Sequence, residues 1–180
     1  MATATTLTMT NGSQPNEVAS SQAQLPETVR FRPLPTPLED EKSSPLAVLM
    51  TPDFPVPCRR CLQDSEVGSE MLLLSYEPFL GKSPHTYASP IFLHSKPACK
   101  PADVQSSGGS IPEQLRSRLL SVRAYDGAHM MCGAEVVDGD RLHEACQRLL
   151  GEGTSAEYCH VHYAAHGCFA VRVEKTSVFN

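Results

Sequence analysis

The stretch from Ala156 to Glu174, AEYCHVHYAAHGCFAVRVE, reads as one β-hairpin and constrains the chain more than any other segment. Its arms are Ala156 to Tyr163 and Cys168 to Lys175, and its turn is Ala164 to Gly167. Side chains on a strand alternate faces, so Tyr158, His160 and His162 share one face while Cys159, Val161 and Tyr163 share the other. Two imidazoles about 7 Å apart on one face are a candidate site for a shared proton, a metal or an anionic ligand.

Upstream, the texture of the chain is uneven. Nine of the 15 prolines lie at or before Pro57, and the first 24 residues are mostly Ala, Thr, Ser, Asn and Gln. Such a segment buries too little apolar surface to offset its ordering entropy, so a disordered stretch is expected from Met1 to about Arg32, within a tail taken as residues 1–45. Pro33, Pro35 and Pro37 give a PxxP-like segment whose simplest reading is a stiff linker. A single α+β domain is expected over residues 46–176.

Within that domain, EMLLLSY and PIFLHS are apolar runs of strand length, separated by a loop carrying Pro78, Gly81 and Pro84. Ser110 and Glu113 have capping-box spacing, which predicts a short helix with Ile111, Leu115 and Leu119 on one side. LSVRAYD and CGAEVV predict strands around a turn at Asp126-Gly127. Leu142, Ala145, Cys146, Leu149 and Leu150 follow i, i+3, i+4, i+7, i+8, which predicts a helix opened by Asp138 or Asp140 and closed near Gly151. The expected fold is α+β: a mostly antiparallel sheet of five or six strands with two helices on one face.

Bulk properties bound the function. A formal charge of -5 with pI near 5.8 lacks the basic excess that phosphate-backbone binding wants, and the chain has no tryptophan, so nucleic acid is not expected as a partner. No apolar run reaches bilayer length, and the amino terminus has neither the basic start nor the apolar segment of a signal peptide, so no membrane is expected. A cytoplasmic protein is expected, with its seven cysteines mostly free thiols. Oligomeric state is not legible here.

Several constellations carry candidate chemistry. Cys58 and Cys61 in PCRRCLQD have zinc or thioredoxin-like spacing, but a structural zinc site normally needs a second such pair, and Cys99 stands alone in KPACKP. Structural or incidental thiols are therefore the preferred reading, and no metal is assigned. The H-x-H of His160 and His162 would need a third ligand from Cys168, Glu135, His129 or Asp126. Arg123 and Arg172 interrupt apolar strands and suit a carboxylate or phosphate, or else pair with Asp126, Glu135 or Glu174 on a solvated face. If both share a face with the histidines, the sheet presents a cationic pocket for a compact anionic metabolite, with SPHTYASP as a lid. Cys146 and Cys159 are expected in the core.

At PCRRCLQDSEVGSEMLLLSYEPF, SPHTYASPIFLH, LRSRLLSVRAYDGAHMMCGAEVVDGDRL and YCHVHYAAHGCFAVRVE, the chain resembles the uncharacterised family catalogued as domain of unknown function twelve hundred and three. The motif positions include Cys58, Asp64, Ser83, Pro84, Tyr87, Pro90, Arg123, Tyr125, Asp126, Met130, Glu135, His160, His162 and Cys168. The resemblance implies a small α+β protein and brings no activity. Where relatives carry asparagine after the second histidine, this chain has Tyr163. Cys61 is often another residue in relatives, which argues against an essential Cys58/Cys61 metal pair.

The expected function is a small-molecule enzyme or binding protein. His160, His162, Asp126 and Cys168 are its candidate catalytic groups, and Arg123, Tyr125, Glu135 and Arg172 its candidate ligand-binding groups. No cofactor is assigned. The alternatives are a protein-interaction module using the proline-rich tail or a sheet edge, and a zinc or iron protein built on His160 and His162.

Overall fold

The computed structural model describes residues 29–34, 46–104 and 110–175. Their eight strands are β1 (Val29–Arg32), β2 (Val48–Met50), β3 (Met71–Tyr76), β4 (Ser89–His94), β5 (Leu119–Tyr125), β6 (Met131–Asp138), β7 (Tyr158–Tyr163) and β8 (Phe169–Lys175). Two helices accompany them, α1 (Glu113–Arg116) and α2 (Leu142–Leu149). All strand pairings within the sheets are antiparallel: one sheet has five strands in the order β1-β8-β7-β5-β6, and a second has three in the order β2-β3-β4. The α+β class and mostly antiparallel sheet are as expected, and the second, smaller sheet is an addition.

The main core lies on the face of the larger sheet that carries the odd-numbered side chains of β7. Leu115 of α1 and Leu142, Ala145 and Cys146 of α2 bury themselves there against Leu120, Val122, Ala124, Cys159, Val161, Val171 and Val173. Each such aliphatic side chain removed from water contributes about 1.5–3 kcal/mol before entropy is counted. Cys146 and Cys159 are fully buried, as their apolar spacing predicts. A second core, with Cys58, Met71, Leu74, Ile91 and Leu93, joins the smaller sheet to Phe169 at the start of β8.

Three local expectations are corrected. The helix after Pro112 is a single turn without a side-chain cap, and Leu119 opens β5 instead of continuing the helix, because pairing with Asp138 of β6 claims it. A 3-10 turn at Gly139–Arg141 leads into α2, and neither Asp138 nor Asp140 supplies a cap. A Cβ on Gly139 would collide with the carbonyl oxygen of Leu115, so glycine is what lets this turn pack under α1. Finally, the segment expected as a tail contains β1, which pairs with β8 along Val29 to Arg32 and buries Val29 and Phe31. Residues 1–28 and 35–45, including Pro35 and Pro37, lie outside the described residues.

Candidate metal centre and histidine face

The Cys58 loop is a tight reversal. Cys58 N–H donates to Gln63 O, Leu62 N–H donates to Cys58 O, and Leu62 takes the left-handed conformation at φ 53°. Cys58 also bridges to Phe92, which carries its sulfur to the end of β4, where His94 stands. Beyond β4 a turn held by Cys99 N–H to Lys96 O brings Cys99 back. The Sγ atoms of Cys58, Cys61 and Cys99 and a ring nitrogen of His94 thereby lie within 4.8 Å of one another.

The individual separations are diagnostic. Cys58 Sγ is 3.7 Å from Cys99 Sγ, and His94 Nδ1 is 3.5 Å from Cys61 Sγ and 3.6 Å from Cys99 Sγ. A tetrahedron with zinc–sulfur bonds of about 2.3 Å and zinc–nitrogen bonds of about 2.0–2.1 Å has edges of about 3.8 and 3.6 Å. The hydrogen bond with Cys61, then backbone donors including the amide of His94, draws the Cys58 thiol down to about 4 against the opposing effect of burial. The same hydrogen bond raises Cys61 and burial raises Cys99, so the three sulfurs hold one thiolate between them. Between the cysteines, Arg59 and Arg60 are 3% and 2% exposed, and a zinc ion held by three thiolates would place a net negative charge beside these buried cations. Among the described residues this is the one group of three or more His, Cys, Asp or Glu side chains that converges in this way.

The other constellation lies on the opposite face of the larger sheet. Register places Arg123 of β5 and Arg172 of β8 directly opposite His160 on either side, with Ser121 opposite His162. The condition posed by the sequence is met: Arg123, Arg172, His160 and His162 share one face. The face is closed, however. Phe79, Tyr125, Tyr158 and Phe169 stand around the His160 ring at centroid distances of 4.8, 5.2, 5.1 and 5.4 Å, and both histidines are 0% exposed. Burial, then the Arg172, His162 and Arg123 charges, depresses His160 to about 3; burial and Arg123 depress His162 to about 4. Both rings are neutral at pH 7.

The loop between β3 and β4 forms the cover, as SPHTYASP suggests. Ser83 Oγ donates to His129 O, and Tyr87 reaches between Arg123 and His162. Arg123 Nη1 donates to the Tyr87 hydroxyl at 2.7 Å, and His162 Nδ1 lies 3.0 Å from both that hydroxyl and Gly167 O. Because a carbonyl only accepts, we assign the His162 proton to Nδ1. His162 Nε2, both nitrogens of His160 and Arg172 Nη1 are buried with no hydrogen-bond partner among the described residues.

Not every expected site residue reaches this face. Tyr125 stacks on Tyr158 and lies against His160. Arg172 pairs with Glu174 at 2.7 Å and stacks over Tyr158. Asp126 does not orient a histidine: its carboxylate accepts the amides of Ala128 and Met130 and fixes the β5–β6 turn. Glu135 sits opposite Val122, on the helix side of the sheet, and binds Arg148. Cys168 is diverted by a register shift between Val161 and His162, which pairs His162 with Phe169. It lines a separate hollow beside Tyr163. None of the four expected third ligands joins His160 and His162 in a convergent group among the described residues. The signal that sequence reading passed over was His94-x4-Cys99, a mixed second half for Cys58-x2-Cys61.

Fold and site together define a small antiparallel α+β protein carrying a Cys3His cluster. The chain belongs to the family described as Protein of unknown function (DUF1203), whose model matches residues 55–175. No curated protein and no solved structure matches it. No helix among the described residues is long and apolar enough to cross a membrane.

Proposed function

We propose that this chain is a metal-binding protein in which Cys58, Cys61, His94 and Cys99 hold one zinc ion. The observation that carries the reading is the set of ligand separations, which already match the edges of a zinc tetrahedron. Three thiolates and one imidazole suit zinc over hard cations, and four protein ligands leave no position for water or substrate, so the centre is structural. It ties the Cys58 loop to the turn beyond β4, Cys58 and Cys99 being 41 residues apart. Metal analysis of the untagged chain is expected to give about one zinc per molecule, and cobalt substitution the intense visible bands of a tetrahedral thiolate site. A chain isolated without transition metal, and unable to take up zinc under reducing conditions, would refute it.

A second reading keeps the histidine face as a site for a compact anion, with Arg123 as its clamp and His160 and His162 as ligand contacts or proton carriers. Its support is the Arg123–His160–Arg172 row and the four unpartnered buried polar atoms. Tyr87, partly exposed, is the group through which such an anion would enter. Titration with inorganic phosphate is expected to move the imidazole resonances of His162 before those of His160. Tyr87→Phe is expected to weaken binding about tenfold, the loss of one charge-assisted hydrogen bond. Resonances that stay fixed at millimolar phosphate would exclude this reading.

A further inference from the structure

A hollow of about 570 Å³, the one that Cys168 lines, opens on the other side of the Cys58 loop. One wall is Phe54 to Pro57, the segment that enters the metal loop. Its floor is the outward face of the smaller sheet, where Leu73 and Phe92 are cross-strand partners, and its far side is Leu119 and Tyr163. Phe54 and Leu119 are 61% and 51% exposed, an unusual state for two large apolar side chains facing one cavity. The volume lies within the range of small-molecule sites, about 300–1,000 Å³.

The polar end is cationic. Arg59 is 3% exposed and donates from Nε to Phe169 O at 2.8 Å and from Nη1 to Pro57 O. Both acceptors are neutral, and among the described residues no carboxylate pairs with Arg59. Its guanidinium lies over the Tyr163 ring at 4.9 Å, and Arg118 lies over the same ring at 5.4 Å. Arg118 differs in being bound to Asp64 at 2.7 Å. In a chain of net charge -5, a buried arginine at the end of an apolar hollow selects a particular ligand shape.

From this juxtaposition we infer that the hollow binds a small molecule with an aliphatic or aromatic body and one carboxylate, the body against Leu73, Phe92 and Leu119 and the carboxylate toward Arg59. The site is distinct from the metal centre and shares only the Cys58 loop with it.

Octanoate is the probe, titrated into the full zinc-loaded chain by calorimetry and by competition with 1-anilinonaphthalene-8-sulfonate. One octanoate is expected per chain, with octanol about tenfold weaker because it cannot pair with the guanidinium. Leu73→Trp, which fills the floor, is expected to weaken octanoate at least tenfold. Ala165→Trp, at the exposed rim, is expected to do the same without touching a core. Absence of saturable binding, or binding unchanged in both filled variants, overturns the inference; equal affinity for octanol overturns the carboxylate assignment. Zinc measured on the same samples separates the two readings, since octanoate binding to a chain that holds no zinc sustains the hollow while the metal centre fails.

Discussion

Cys99→Ser is expected to abolish stoichiometric zinc and to lower the melting temperature by about 10 °C, the equivalent of about 3 kcal/mol in a chain of this size. The argument begins with connectivity. Cys58 and Cys99 lie in loops on either side of the smaller sheet's second hairpin; Cys99 N–H to Lys96 O is a local bond, and Ala102 N–H to Arg60 O ties the later segment to the Cys58 loop. A bound ion cross-links these loops and stabilises the native state by mass action. Losing one ligand removes both effects together. Chelation of the wild-type chain is expected to reproduce the variant's melting curve, and a variant melting with the wild type, chelator or not, would count decisively against a structural ion.

The second large effect concerns acid. His160 and His162 are depressed in the native state to about 3 and about 4, chiefly by burial, whereas in the unfolded chain they titrate near 6.5. Between those values the unfolded state binds more protons, so stability is complete above pH 6.5 and falls as pH drops toward 4. Each ring contributes a slope of about 1.4 kcal/mol per pH unit, and together they remove about 5 kcal/mol by pH 4.5, comparable to the whole stability of many domains. The groups facing His160 are Arg123 on β5, Arg172 on β8, His162 on β7 and His129 in the β5–β6 turn. None is an acid that could retain the proton. Urea titrations of wild type and His160→Leu from pH 7.5 to 4.5 provide the check. The variant is expected to lose about half of the histidine-dependent slope and to match or exceed wild type at pH 7, because it deletes two unpartnered ring nitrogens. Taking the difference cancels protonation at the metal thiolates, which is common to both. Parallel slopes would show that His160 already carries its proton in the folded chain.

Much of this was legible in the chain. Strict alternation in YCHVHY sets His160 and His162 on one face, and the periodicity around Leu142 sets the buried stripe of α2. Register was not legible, because it turns on the irregularity at His162; that one residue aims Phe169 at the histidines and Cys168 away from them. β1 was hidden for a different reason. VRFR alternates correctly, but four residues in a proline-rich, polar surrounding carry too little signal, and the strand exists because β8 offers an edge. The four residues of the Cys3His cluster were visible as types and obscured as a set, since the β3–β4 hairpin with its loop stands between Cys61 and His94, and only tertiary pairing closes that distance. Ser110 and Glu113 show the reverse error, a correct local pattern overridden by strand pairing a few residues on.

The position of β1 has a practical corollary. It lies upstream of residue 55, where the family match begins, yet it occupies the outer flank of the five-stranded sheet. Recombinant fragments cut to the matched segment would strip that flank, leaving the main-chain donors and acceptors of β8 facing water beside the newly bared apolar surface beneath Val29 and Phe31. Self-association through that open seam is the natural result. Expression plasmids for this molecule should therefore start well ahead of Val29.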